Sequence, residues 1–345
     1  MQYRKLGRTG VEVSSQCLGA MMFGAMGNTD HDACVRMVHQ ALDAGVNFID
    51  TADVYSRGES ETIVGRALAG RRDDVVLATK FFNPMSKERN SRGSSRRWIM
   101  RAVEDSLRRL GTDHLDLYQV HRLDRSVDMD ETLGALSDLV RWGKVRYLGS
   151  SSYPAEWIVE AQWAADRRHL ERFVCEQPQY SIFARSTEVA VLPTCLRHDM
   201  GVIPWSPLAG GWLTGKYRRD ATPPEGARFS PGSAWARRRD GGAAHDLTED
   251  PRIDLVEQLA SVAETAGLSM TELSLGFVAR HPGVTSTIIG PKTEEQLAQL
   301  LGAADVHLDD DTLDAIDRIV PPGTDAPGIE HHVENPAMTP AARRR

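Results

Sequence analysis

The chain has 345 residues, 41% hydrophobic and 26% charged, a balance that supplies a large core and argues against wholesale disorder. A formal net charge of -7 argues against nucleic acid as the main partner, because phosphate binding needs a basic field. Met1 to Val13 lacks the apolar centre of a signal peptide, no apolar run reaches the ~20 residues that span a bilayer, and Cys17, Cys34, Cys175 and Cys195 lack ligand or redox spacing, so a cytoplasmic, metal-free protein with reduced structural thiols is expected.

Length alone admits one domain or two, and the pattern along the chain has to decide. Residues 3 to 13 predict a hairpin turning at Arg8-Thr9-Gly10, and Val13 to Leu18 a first barrel strand leading into Gly19-Ala20-Met21-Met22. Val35, Val38, Ala41 and Leu42 recur at helical spacing between Asp30 and Ala44, and Gly45 supplies the stop. Further strands follow at Val46 to Asp50, Val75 to Lys80, Leu115 to His121, Val145 to Ser150, Phe173 to Gln177, Gly201 to Trp205 and Thr285 to Ile289. Helices are expected near 60–69, 94–110, 130–142, 154–167 and 187–198. A Gly/Pro/Arg-rich insertion near 208–250 precedes helices near 252–266, 270–280, 293–302 and 310–319, and Ser269-Met270-Thr271-Glu272 has the form of a capping box. Strands and helices alternate with no internal linker, so the reading is a single α/β domain over 1–320, a (β/α)8 TIM barrel with an N-terminal hairpin, a long insertion after strand seven and a loose tail at 321–345.

Barrel chemistry collects at the C-terminal strand ends, where Asp50, Lys80 and His121 fall, with Tyr55 in the loop after strand two. Carbonyl reduction needs a proton for the oxygen that becomes negative as hydride reaches carbon. A phenol serves if its anion is stabilised, which an ammonium beside it does, and that ammonium in turn needs a counter-charge. Asp50 then tunes, Lys80 couples, Tyr55 donates and His121 orients the carbonyl oxygen. Each residue alone reads equally well as a mouth ion pair or a packing residue; the four together do not.

The runs Gly45-Val46-Asn47-Phe48-Ile49-Asp50-Thr51-Ala52 with Tyr55, Ala78-Thr79-Lys80, Leu115 to His121 and Gly143-Lys144-Val145-Arg146 resemble the signatures of the aldo-keto reductase superfamily. The resemblance spans about residues 3–320 and is greatest to the bacterial reductases similar to potassium-channel β subunits. It implies the catalytic tetrad Asp50, Tyr55, Lys80 and His121.

No Gly-x-Gly-x-x-Gly follows strand one, so a Rossmann site is not supported. The resemblance instead implies a nicotinamide site with Ser151 and Gln177 at strand ends, Tyr180 stacked on the ring, and Ala20, Met21 and Asp50 nearby. Trp205, Ser206, Pro207, Leu208, Ala209, Gly210 and Gly211 resemble the pyrophosphate loop, where small residues let backbone N–H groups approach phosphates. Lys216 and Arg228 are expected as a clasp, whereas Arg237, Arg238 and Arg239 read as solvated charge. Gly290, Lys292 and the helix N-terminus that follows suit the 2′-phosphate of NADP(H), and Gln296 resembles the adenosine contact. Two departures from the family pattern are Gln299-Leu300, where Glu-Asn is frequent, and Ser151-Ser152, where many members have Ser-Asn.

Met22, Phe23, Phe81, Phe82 and Trp212 are expected to wall the substrate pocket. Arg89, Arg92, Arg96, Arg97, Arg122 and Arg125 form either a cationic rim for an anionic substrate or, the preferred reading, solvated and packing charge. The expected function is NADPH-dependent reduction of an aldehyde or ketone, a small-molecule carbonyl substrate, with Tyr55 as general acid and no membrane insertion; homo-oligomerisation stays open. The alternative is an NADP(H)-binding, redox-sensing regulatory subunit with little turnover. A phosphosugar isomerase barrel would need a catalytic Glu at a strand end, and none is evident.

Overall fold

A computed structural model describes residues 1–219, 222–224, 227–229 and 250–329. Strands β1 (Tyr3–Lys5) and β2 (Glu12–Ser14) form the expected antiparallel hairpin. The strands β3 (Gln16–Gly19), β4 (Phe48–Asp50), β5 (Val76–Phe81), β6 (Leu115–Val120), β7 (Val145–Ser151), β8 (Phe173–Gln177), β9 (Gly201–Val202) and β10 (Thr287–Ile289) make one parallel sheet in the order β10-β3-β4-β5-β6-β7-β8-β9. Its two ends meet: the Thr285 N–H donates to the Val202 carbonyl at 2.8 Å and the Ile288 N–H to the Pro204 carbonyl at 3.1 Å, closing the (β/α)8 barrel.

Five strands are shorter than the sequence predicts; of these, Val46 to Asp50 pairs only from Phe48, Leu115 to His121 stops at Val120 and Thr285 to Ile289 begins at Thr287. The run from Val13 to Leu18 is divided, since Glu12–Ser14 is committed to the hairpin and only Gln16–Gly19 joins the barrel. Regular pairing in strand seven ends before Pro204, which has no N–H to offer a ladder, although Trp205 still bridges to Gln179.

The helices pack outside. They include α1 (His31–Asp43), α2 (Glu59–Ala67), α3 (Arg96–Leu110), α4 (Met129–Arg141), α5 (Ala155–Arg168), α6 (Val191–Arg197), α7 (Arg252–Thr265), α8 (Met270–Arg280), α9 (Glu294–Gly302) and α10 (Asp310–Ile319). Asp30 caps α1 through the Ala33 N–H, and Ser269 and Glu272 form the reciprocal capping box at α8.

The period of two along each strand sorts side chains into two cores. Leu18, Ile49, Leu77, Tyr118 and Leu148 face the helices. Cys17, Phe48, Ala78, Leu117 and Cys175 fill the barrel interior, and Leu6 and Val13 from the hairpin join them. Two residues further along the same inward rows stand Gly19, Asp50, Lys80, Gln119 and Gln177, so the polar layer sits directly above the apolar one.

All four cysteines are buried free thiols. The stretch expected to begin a loose tail is docked at 321–329: the Arg185 and Ser186 N–H groups donate to Asp325 at 2.7 and 2.9 Å, and the Ala326 N–H to the Phe183 carbonyl at 2.9 Å. Residues 330–345, like Arg237, Arg238 and Arg239 of the insertion, lie outside the described residues. Among the described residues no helix is long and apolar enough to cross a membrane, and no group of three His, Cys, Asp or Glu side chains is placed to hold a metal.

Candidate active site

The register sets Asp50 opposite Ala78 and Lys80 opposite Gln119, which brings the inward-facing polar side chains together at the strand ends. The Lys80 ammonium, fully buried, has three protons and three acceptors: an Asp50 carboxylate oxygen, the Thr51 carbonyl at 2.8 Å and the Tyr55 hydroxyl at 3.2 Å. Asp50 is satisfied on its other oxygen by the side-chain amides of Gln119 at 2.9 Å and Gln177 at 3.0 Å. The His121 ring stands edge-on to Tyr55 at 5.8 Å between centroids, and the Asn83 amide approaches its Nδ1 at 3.2 Å. All four residues of the expected tetrad therefore converge.

Electrostatics give this cluster a definite protonation. Burial disfavours the Lys80 ammonium, but Asp50 and Tyr55 outweigh it and hold Lys80 above the ordinary lysine range. For Tyr55 the balance runs the other way: burial raises the phenol above its usual value despite the opposing pull of Lys80. The site thus starts with a charged lysine and a fully protonated phenol. Because the Tyr55 oxygen accepts from Lys80, the phenolic proton is left to point elsewhere.

The chain around Tyr55 is strained. Ser56 and Arg57 take positive φ values of 48° and 58°, followed by Gly58 at 95°, a run of left-handed residues. Ser56 offsets this by donating to the Phe23 carbonyl at 2.8 Å and accepting from the Met26 N–H at 3.0 Å. Behind the loop, Glu61 accepts from Thr79 and Arg109, each at 2.6 Å, tying α2 and α3 to the strand that carries Lys80.

The expected cofactor residues divide. Ser151 is buried at the end of β7 with its hydroxyl on the Gln177 carbonyl at 3.0 Å, and Gln177 is held by Asp50 and Gln119. Ala20 is buried, its N–H on the Asp50 carbonyl, and Met21 is half-buried beside it. Tyr180 does not take the expected stacking position. It is 1% exposed, wedged against Phe277 and His281 with its hydroxyl on Glu188 at 2.7 Å, because the β8 loop turns it toward the outer helices. The half-buried aromatic beside this set is Trp205, with the Arg122 guanidinium 5.8 Å from its ring centre.

The segment after Trp205 is shaped by left-handed residues, Ser206 at φ 60°, Ala209 at 47°, Gly210 at 70° and Gly211 at 104°, with Pro207 and Leu208 between. Lys216 folds over it: a Cβ on Gly211 would lie 2.7 Å from the ammonium nitrogen. Burial, and then the nearby Arg228, lowers the Lys216 pKa, and burial lowers that of Arg228 as well. Two partly desolvated cations over a loop of small residues fit a dianionic group such as a pyrophosphate. At the start of α9 the Gln296 side chain accepts from the Lys292 N–H at 2.8 Å, while exposed Gly290 precedes it and Asn28 donates to the Lys292 carbonyl at 3.0 Å. The first turn also carries Glu294, paired with Arg36 at 2.8 Å, and Glu295, so Lys292 works against local negative charge.

The expected apolar wall is mostly core. Phe23 and Phe81 are fully buried, Phe81 against Tyr118, and Trp212 is packed on Tyr217, Phe229 and Arg252; Met22 and Phe82 alone of the five are half-exposed. Sequence reasoning missed Gln119 and Asn83. Gln119 carried a signal, a polar residue two positions after inward-facing Leu117, whereas Asn83 sits in an irregular loop with no periodic cue.

The profile of the aldo/keto reductase family matches residues 16–321. The chain is 39% identical to the oxidoreductase YrpG of Bacillus subtilis over 95% of this chain and 98% of that one. It is 35% identical to a probable voltage-gated potassium channel subunit beta of Arabidopsis thaliana, over 93% and 97%, and 32% identical to versiconal hemiacetal acetate reductase of Aspergillus parasiticus, over 95% and 99%. With these matches and a closed barrel carrying its polar cluster at the strand ends, the chain belongs to the aldo/keto reductase family.

Proposed function

We propose that this chain is an NADPH-dependent reductase of aldehydes or ketones in which Tyr55 is the general acid. The observation that carries the reading is the Lys80 ammonium shared between Asp50 and the Tyr55 hydroxyl. When bound, the nicotinamide supplies the hydride. Ser151, Gln177 and Trp205 would hold the nicotinamide, the Ser206–Gly211 loop with Lys216 and Arg228 the pyrophosphate, and Lys292 with Gln296 the adenosine end. As the substrate oxygen gains charge, Tyr55 passes its proton to it, and the phenolate left behind is matched by Lys80 at 3.2 Å. His121 orients the same oxygen by hydrogen bonding, and Asp50 keeps Lys80 charged throughout. The preference for NADPH rests on Lys292 as a partner for the 2′-phosphate.

The test is NADPH consumption with a panel of aromatic aldehydes by wild type and Tyr55→Phe. The variant should retain cofactor binding and lose about 10²- to 10⁴-fold in kcat; equal rates would remove Tyr55 from the chemistry. The similarity to channel β subunits favours a second reading, a cofactor-binding regulatory subunit, which tight NADPH binding without turnover on the whole panel would support.

A further inference from the structure

Of the six arginines that the sequence places around the mouth, most are spent elsewhere. Arg96 pairs with Asp138 across α3 and α4, and Arg125 lies over Trp157. Arg89 and Arg97 line a hollow of about 420 Å³ with Glu88, Asn90, Met100 and Arg101, a site containing none of the tetrad, and Arg92 is exposed. Arg122 differs. It follows His121 directly and its Nη1 donates to the His121 carbonyl at 2.7 Å and the Ser152 hydroxyl at 3.3 Å, while its plane lies near Trp205. One guanidinium therefore lies against the ends of β6, β7 and β9 beside Tyr55.

The rest of that guanidinium is uncommitted. Nε and Nη2 find no hydrogen-bond acceptor among the described residues, and neither is sealed from solvent. Several other arginines with buried guanidinium atoms face carboxylates: Arg109 faces Glu61, Arg252 faces Asp250, and Arg185 faces Glu188 and Asp317, whereas Arg172 is within ion-pair distance of no described carboxylate and donates to the His198 carbonyl at 2.9 Å. Arg4 has none, but both its terminal nitrogens are taken by the Ala279 and Val284 carbonyls. Arg122 is within ion-pair distance of no described carboxylate; Glu176 and Tyr55 act on it only through longer-range charge. Burial of this cation, which pulls its pKa below the usual arginine range, raises the value of an anion brought to it.

We propose that the free Nε–Nη2 edge of Arg122 is a recognition subsite for a carboxylate on the substrate, making the preferred substrates aldehydes or ketones that carry an acidic group. The proposal rests on the reductase reading of the same site. A planar carboxylate matches that edge with two parallel hydrogen bonds, a geometry a neutral substituent does not reproduce.

The experiment compares kcat/KM for 4-carboxybenzaldehyde and neutral 4-nitrobenzaldehyde with NADPH, for the full-length wild type, Arg122→Gln and Arg122→Lys. The wild type should favour the carboxylate, and the ratio of the two kcat/KM values should fall about 10- to 100-fold in Arg122→Gln and by an intermediate factor in Arg122→Lys, the range expected for a charge-assisted pair. An unchanged ratio, with both substrates losing alike, overturns the proposal and makes Arg122 a packing residue, as does a loss confined to NADPH affinity. Calorimetric titration of benzoate and benzamide into the NADP-loaded protein separates this outcome from failure of the reductase reading. Benzoate binding that exceeds benzamide binding and vanishes in Arg122→Gln sustains the subsite even without turnover, and equal or absent binding of the two removes it.

Discussion

Lys80 donates to the hydroxyl oxygen of Tyr55 at 3.2 Å, an arrangement that decides which way the phenol faces. A lysine ammonium has three protons, and the other two go to Asp50 and the Thr51 carbonyl, so the nitrogen cannot turn away from the phenol without breaking a buried bond. Lys80→Met should therefore cost activity and also stability, because it leaves the Asp50 carboxylate buried without its counter-charge. A loss of about 3–5 kcal/mol is expected in urea unfolding, and a midpoint close to wild type would contradict the pairing.

Gln119 tests whether Asp50 needs its second amide. Gln119→Leu keeps the volume and removes one of the two amide donors to Asp50, with Gln177 and Lys80 remaining. The expected cost is about 1–3 kcal/mol in stability, with a reduced kcat from a less firmly held Lys80. An unaltered kcat would show that Gln177 suffices.

Asn83 approaches His121 Nδ1 through its amide nitrogen, which can only donate, so the neutral imidazole carries its proton on Nε2. Asn83→Asp offers an acceptor instead and should move the proton to Nδ1, leaving Nε2 unable to donate to a carbonyl oxygen. Nitrogen NMR of the labelled imidazole reads the tautomer directly, and the same tautomer in both proteins would rule the assignment out.

Glu176 gives a pH dependence of predictable sign. It lies outside the inner row, accepting from the Ser150 hydroxyl at 2.5 Å and the Tyr153 N–H at 3.1 Å, and burial pushes its pKa from the ordinary 4.5 up to about 7. The folded state then binds a proton that the unfolded state releases. Its contribution is fully present below about pH 4.5 and is lost as pH rises toward 7, amounting to about 3 kcal/mol. Glu176→Gln should flatten the fall in stability between these limits and be the more stable protein at pH 8. Asp53, whose two buried oxygens accept no well-aligned hydrogen bond among the described residues, is raised by burial and by Glu61, and Asp53→Asn should act in the same direction. Denaturant midpoints at pH 5 and pH 8 check both; a variant that parallels wild type at the two pH values would show the carboxyl is not titrating there.

Arg57 holds a left-handed φ of 58° with its side chain exposed, a conformation glycine adopts without strain. Arg57→Gly should raise stability by up to about 1 kcal/mol, measured as a higher Tm. A drop in Tm would mean that the side chain, rather than the backbone, matters at this turn.

The sequence by itself determined the barrel, the order of its strands and helices, and the polar residues at their ends, because each of these follows from local signals. Apolar alternation, glycine stops and capping residues are written within a few positions of one another. Parity along a strand even predicts that Asp50 and Lys80 face the same interior as Phe48 and Ala78.

What tertiary structure alone decided were the fates of side chains whose neighbours come from distant segments. Tyr180 and Trp205 are both aromatics after strands, yet Tyr180 is closed off by Phe277 of α8 and by His281 just after it, while Trp205 stays half-open beside Arg122. Phe81 and Trp212 are pocket candidates by position and core residues by packing. Arg122 was one of six similar cations in the sequence. Only the meeting of three strand ends shows that it leaves an edge free, since hydrogen-bond satisfaction depends on which backbone atoms arrive, and no local pattern records that.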